Sequence, residues 1–431
     1  MNQSVKKIYM KVERIKELQS LIEKLQDFEV DYENDYESLL EDLEKGELTE
    51  DDLESATSDL ESITVDFPDE IEHIDYPIDD FCEYMKEAVE SFEEVGNSTV
   101  RTKRIRQTVI DSEYNGWYLF EGKIQSYTFE GEGYKAKVIS NPFLIGLSNS
   151  KKGNFDEDYG VYPCSRYLAI ELKYDETPTM SVDVEDNLIE KILYYLTQKM
   201  GVSIYRSEFL DVHNVIEDLD EEKFEAKEEY INVDSLVSYT SLTRMYMQAS
   251  CARDNEIRFL YYYKIIEHIS PIVAKLNAYE KLNKRLDLLS QSERDYKYLE
   301  SIFSISRKYD NDVKDDFLCA SVILECVDAI PLMEMLPSRL QKMYKHNLGL
   351  NNKEWSDENL SEEQITSYHK QLASSLYSTR NSIVHAKSNY QSTGNEFHTD
   401  EMEAANRIMD IIATSIIQWN ERQAEVYRLK D

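Results

Sequence analysis

Tyr377-Ser-Thr-Arg380-Asn381-Ser-Ile-Val-His385-Ala-Lys387 lies near the end of a long helical pattern. From about residue 234 onward, apolar residues recur every three or four positions. That spacing lets a helix bury one face and wet the other. The pattern predicts helices near 234–250, 255–277, 279–306, 312–346, 364–387 and 399–428, with a loop at 347–363. Residues 234–431 therefore read as an all-α bundle, and the quoted stretch ends one of its late helices.

Upstream, residues 211–233 are strongly acidic with little periodicity and read as a linker. Residues 108–210 read as an α+β middle domain. Aromatic and aliphatic residues alternate with polar ones over 114–148, Asn115-Gly116 and Gly131-Glu-Gly133 supply turns, 166–174 is a further strand and 183–200 a helix. Residues 1–107 read as an acidic helical module. Ile8, Val12, Ile15, Leu18, Ile22 and Leu25 share a helix face, and Tyr36, Leu39, Leu40 and Leu43 suggest a second helix. Leu53, Ala56, Leu60 and Ile63 suggest a third, and 79–95 another. The fold class expected is thus α+β multidomain.

Charge follows the same division. Of the net −37, −23 falls in residues 1–100 and only −5 in residues 251–431. An acidic surface repels nucleic acid, so broad non-specific binding by the whole chain is excluded, whereas the near-neutral C-terminal part can meet RNA locally. Twelve glycines and no Gly-rich phosphate loop disfavour a common nucleotide site. Cys82, Cys164, Cys251, Cys319 and Cys326 form no C-x-x-C pair, so neither a disulfide framework nor a structural zinc site is expected. No apolar run approaches 18 residues, and the N-terminal stretch lacks a secretory h-region; a soluble cytoplasmic protein is expected.

Arg followed by His after four to six residues occurs three times: Arg380–His385, Arg339–His346 and Arg206–His213. Only the first carries Asn directly after Arg, followed by the aliphatic pair Ile383-Val384 on a helix. These residue types suit phosphate chemistry. Imidazole exchanges a proton near neutrality, and guanidinium presents a planar fork of donors to phosphate oxygens.

The Arg380-Asn381…His385 string resembles the R-x4-6-H motif of the HEPN superfamily. Ile257-Arg-Phe-Leu-Tyr-Tyr-Tyr-Lys-Ile-Ile-Glu267-His268 resembles the early helix of its Apea-like branch, whose acidic residue faces the same site. The resemblance covers the C-terminal region only. It implies a helical bundle and a metal-independent endoribonuclease without cofactor, in which the RNA 2′-OH attacks the neighbouring phosphate to give a cyclic phosphate. By that resemblance Arg380 and His385 are catalytic, Asn381 holds the His or the phosphate, and Glu267 orients Arg380 or His385; His268, beside Glu267, faces another direction on the helix and reads as structural. One motif per chain implies a homodimer that joins two motifs in one cleft. Relatives silenced by nucleotide transfer carry His-x-Tyr, whereas this chain has His385-Ala-Lys387, with Tyr390 the next tyrosine. The layout resembles bacterial anti-phage or toxin effectors, with the N-terminal region as sensor or restraint toward a phage or regulatory protein.

Alternative readings remain. The HEPN module can serve as an inactive dimerisation or ligand-binding unit. Glu171-Leu-Lys173 resembles the E-x-K half of PD-(D/E)-x-K metal nucleases, for which Asp156 or Asp158 would complete the ligands. Asp310-Asn-Asp312-Val-Lys-Asp315-Asp316 imitates an EF-hand loop but lacks its Gly and Glu, and reads as an acidic helix start. The basic run Arg101–Arg106 reads either as a phosphate contact or as a hinge against the acidic module.

Overall fold

The computed structural model describes residues 3–25, 29–31, 41–42, 45, 61–67, 73–96, 98–112, 121–152, 164, 167–178, 180–207, 227–287, 300–304, 315–350, 355, 360–385 and 392–423. The protein is mixed α/β and divides into two compact units, Met1–Leu236 and Val237–Asp431.

The first unit is organised by β6 (Ile105–Ser112), nearly all of it buried. β6 pairs antiparallel with β9 (Leu168–Tyr174) on one side; on the other it pairs with β5 (Thr99–Arg101) and then β10 (Ile204–Arg206). β8 (Tyr134–Ser140) and β7 (Tyr127–Gly131) continue beyond β9. β11 (Glu229–Asn232) joins β7 in parallel, and β4 (Glu93–Glu94) closes the opposite edge on β5. Gly133, with φ +75°, makes the tight β7–β8 turn, a conformation that favours glycine.

Both faces of this sheet are covered, so its central strands lack a clean polar-out alternation. One face meets α2 (Ile78–Glu90) and α3 (Phe143–Lys152), with α1 (Gln3–Leu25) packed on α2; Ile8, Leu18, Phe81, Met85, Phe143 and Leu147 of these helices share a core with Ile105 and Val109. A side chain at Gly146 would meet the Phe67 ring at 2.8 Å, so glycine is what lets α3 sit this close. The other face meets α4 (Val182–Met200), whose Glu185 reaches Arg106 on β6 at 3.1 Å.

Several expectations are corrected here. The boundary expected at 107/108 falls inside β6, and the core joins residues before and after it, so residues 1–107 are no separate module. That segment is not all helical either. β1 (Glu29–Asp31), β2 (Ser62–Asp66) and β3 (Ile74–Pro77) form an antiparallel sheet. Ile63 and Val65 point inward from β2; their alternation is a strand period, and both are β-branched. Leu53, Ala56 and Leu60, and most of the helix expected near 35–45, lie outside the described residues. So does most of the acidic linker, but its end, residues 229–232, is strand β11. The run Arg101–Arg106 is no phosphate patch. Arg106 is 1% exposed and bound to Glu185 and Asp186, Arg101 reaches Glu185 at 3.1 Å, and Arg104 reaches Glu87 at 2.7 Å.

The second unit contains α5 (Ser241–Ser250), α6 (Asn255–Asp287), α7 (Asp315–Cys326), α8 (Ser338–Asn347), α9 (Glu362–His385) and α10 (Met402–Arg422). α6 runs unbroken through the break expected near 278. The helix expected over 312–346 is interrupted by a 3-10 turn, Ile330–Met335, because Pro331 and Pro337 cannot supply helical N–H groups. Phe259, Ile266, Val322, Leu340, Leu372, Leu376, Ile408 and Ile412 form the core. Each such side chain contributes about 1.5–3 kcal/mol on burial.

Candidate functional site

α9 ends at His385, and its last turns carry the motif. Leu372, Leu376 and Thr379 bury one side of the helix and fix its rotation. Arg380 is then left at the edge of the core, with 28% of its side chain exposed. Its Nη2 lies 3.2 Å from Glu267 Oε1 on α6, and its Nη1 donates to Asn381 Oδ1 at 3.0 Å. Asn381 thus holds Arg380 rather than the imidazole. Glu267 is 49% exposed, so this pair is a surface-edge contact with one face toward solvent.

His385 is exposed and stands one turn beyond Asn381, on the same helix face. Arg380 and His385 are five residues apart, about 140° around the axis, and do not share a face. Within one chain the arrangement therefore gathers Arg380, Asn381 and Glu267, with His385 on the adjoining exposed side. His268 bonds Ser241 Oγ at 3.0 Å, which ties α5 to α6.

Tyr263, one turn before Glu267, is a residue that sequence reasoning passed over. It is buried and senses the charges of both Glu267 and Arg380. Burial first, then the Cys319 thiol, pushes its pKa well above the ordinary phenol range. Nothing in the string of three tyrosines marks which one sits behind the pair.

The other two Arg…His pairs are absorbed by structure. Arg339 donates to the carbonyls of Gly394 (2.8 Å) and Glu396 (2.5 Å) and to Glu401 (2.8 Å). It thereby pins the chain that returns after α9. Glu396, itself buried, accepts Gly394 N–H at 2.8 Å, and Thr379 Oγ1 on α9 accepts Phe397 N–H at 2.9 Å. Arg206 is paired with Asp186 at 3.1 Å, and His213 lies outside the described residues.

In the E-x-K strand, Glu171 is 1% exposed and accepts from Tyr84 Oη at 2.7 Å and Gln107 Nε2 at 2.8 Å. Burial and then the Glu171 charge push the Tyr84 pKa far up. Lys173 pairs with Glu83 and Asp80. Burial opposes its charge, but the Glu83 hydrogen bond and the charges of Glu83, Glu171 and Asp80 together outweigh burial and hold its pKa above the ordinary value. Asp156, Asp158 and most of the EF-hand-like run lie outside the described residues. Among the described residues, no group of three His, Cys, Asp or Glu side chains is placed to hold a metal ion, and no helix is long and apolar enough to cross a membrane.

No family model, curated protein or solved structure matches the chain.

Proposed function

We propose that this protein is a metal-independent HEPN-type endoribonuclease whose chemistry is carried by Arg380 and His385. The observation that supports this most is the Arg380–Glu267 pair at 3.2 Å, because it joins the two segments whose sequences resemble the family. In this reading the 2′-OH attacks the adjacent phosphorus and the bond to O5′ breaks. His385 accepts the 2′ proton or returns one to O5′. Arg380 faces the phosphoryl oxygens, where charge grows in the transition state. Asn381 and Glu267 each hold one terminal nitrogen of Arg380, which reduces the ordering cost when phosphate arrives.

The separation of Arg380 and His385 around α9 favours a site completed by a second copy. One subunit's Arg380 and the other's His385 would then flank one phosphate, with the two copies related by a twofold axis. By analogy of layout alone, residues 1–210 would be the sensing or restraining part of a bacterial defence or toxin effector. The test is sedimentation of the full chain at micromolar concentration beside an RNA digest in EDTA. A dimer that leaves 2′,3′-cyclic phosphate ends is expected. A monomer that still cleaves would overturn the shared site, and cleavage only with added magnesium would overturn the mechanism.

A further inference from the structure

Between Ile257 and Tyr279, α6 carries a single carboxylate, Glu267, in a chain whose net charge is −37. That carboxylate is engaged by Arg380. Ile257, Tyr261, Lys264, His268, Lys275 and Tyr279 follow one another at intervals of three, four or seven residues. At about 100° per residue they fall within an arc of roughly 60°. All six lie on the solvent side of the helix, Tyr261 half-buried and the others exposed.

The cations and rings on this stripe are matched to each other. Lys264 Nζ stands 4.4 Å from the Tyr261 ring centroid, and Lys275 Nζ stands 5.5 Å from that of Tyr279. Beside them, joined through the Ser241–His268 hydrogen bond, Arg244 on α5 stacks over Tyr239 at 5.7 Å. Three cation–tyrosine pairs thus lie along α6 and at the start of the neighbouring α5, where Tyr239 precedes the helix. From Tyr261 to Tyr279 the stripe is about 27 Å long at 1.5 Å per residue. Glu267, and with it Arg380, lies at its border, one turn from Lys264.

Cations that neutralise phosphates, alternating with rings that accept a base on their face, are what a single strand needs and a duplex does not. A packed duplex hides its base faces; a single strand offers them. We propose that the solvent stripe Tyr261–Lys264–His268–Lys275–Tyr279 of α6, with Arg244 and Tyr239, is the track that holds single-stranded RNA and delivers one of its phosphates to Arg380. This deepens the ribonuclease reading and rests on it for the delivery step, while the binding surface stands on its own residues.

The test separates the two. Fluorescence anisotropy with a 2′-O-methylated single strand of roughly 20 nucleotides, which cannot be cleaved, reads binding alone. Wild type is compared with Lys264→Glu/Lys275→Glu, with Tyr261→Ala, and with the exposed control Lys342→Glu on α8, each checked for folding by circular dichroism. The double reversal is expected to weaken binding at least about tenfold and to flatten the log–log salt dependence by about 1.4. Tyr261→Ala should weaken it by roughly tenfold without changing that slope, and Lys342→Glu should match wild type. If the reversal binds as wild type does, or wild type prefers anionic phosphatidylserine vesicles to RNA, the track is wrong. If wild type never cleaves RNA but its binding still depends on Lys264 and Lys275, the track stands and the ribonuclease reading falls.

Discussion

Arg380 and Glu267 meet at 3.2 Å across α9 and α6, both partly in solvent, and their charges are felt by the buried Tyr263. A pair this exposed contributes little to stability, typically 0–1 kcal/mol. Its value in this account is geometric. Glu267→Gln should leave the thermal midpoint within about 2 °C of wild type while lowering cleavage roughly tenfold. A loss of stability without loss of cleavage would make the pair merely structural.

Arg380→Lys keeps the charge but cannot reach Glu267, Asn381 and a phosphate at once, since lysine lacks the planar fork. Cleavage should fall about 100-fold or more with the fold unchanged. Single-turnover kinetics decide it; near-wild-type rates would show that only charge is needed.

The buried Arg106–Glu185 contact is of a different kind. Both side chains are at most 1% exposed, and Glu185 also accepts from Arg101 and Tyr174 Oη, so truncating it leaves Arg106 with Asp186 alone and strips a buried network of its shared acceptor. Glu185→Ala should destabilise the first unit by about 3–5 kcal/mol in urea unfolding. A change under about 1 kcal/mol would mean that water or a neighbour replaces the carboxylate.

Thiol reactivity should report the cores. Burial pushes the Cys82 thiol up to about 11 and the Cys319 thiol up to about 12, whereas Cys251 is half-buried. Native alkylation at pH 8 should mark Cys251 first and leave Cys82 and Cys319 unmodified, as peptide mapping would show. The sign for stability follows. The unfolded thiols ionise near 8.5, so their contribution is full below that pH and is lost as pH rises through about 11 to 12.

Glu401 works in the opposite sense. Burial opposes its charge, but the hydrogen bonds from Arg339 and the His398 N–H prevail and hold its pKa below the usual carboxylate value. Its contribution is present above the ordinary carboxylate pKa and fades as pH falls through the lowered one. Arg339→Ala should cost about 1–3 kcal/mol at neutral pH and less in acid, measured by urea midpoints at both. An equal cost at both pH values would place the effect in the Gly394 and Glu396 carbonyl contacts alone.

The second unit was legible because its helices are amphipathic and long, and periodicity is strongest there. It departs from the expectation at Pro331 and Pro337, where apolar spacing continues across residues that cannot remain helical, and near residue 278, where α6 runs on without a break. The first unit was less legible. β6 holds Arg106, Gln107 and Thr108 in its interior, and Arg106 and Gln107 find their carboxylate partners, Glu185 and Glu171, more than sixty residues along the chain. A buried polar strand of that kind resembles a surface loop until its partners are known. Ile63 reads as helical in sequence because a strand as short as Ser62–Asp66 has too few residues to establish a period of two. At the candidate site, the residue types and Glu267 were readable from the sequence. Asn381 holding Arg380 was not, since either partner fits its amide, and Tyr263 carries no local mark at all.

The central claim is tested most directly by incubating total RNA, in EDTA, with wild type, Arg380→Ala and His385→Ala, and sequencing the cleaved ends. Cleavage by wild type alone, with 2′,3′-cyclic phosphate ends, is the result this account predicts. Equal cleavage by all three, or ends bearing 5′-phosphate, would contradict it.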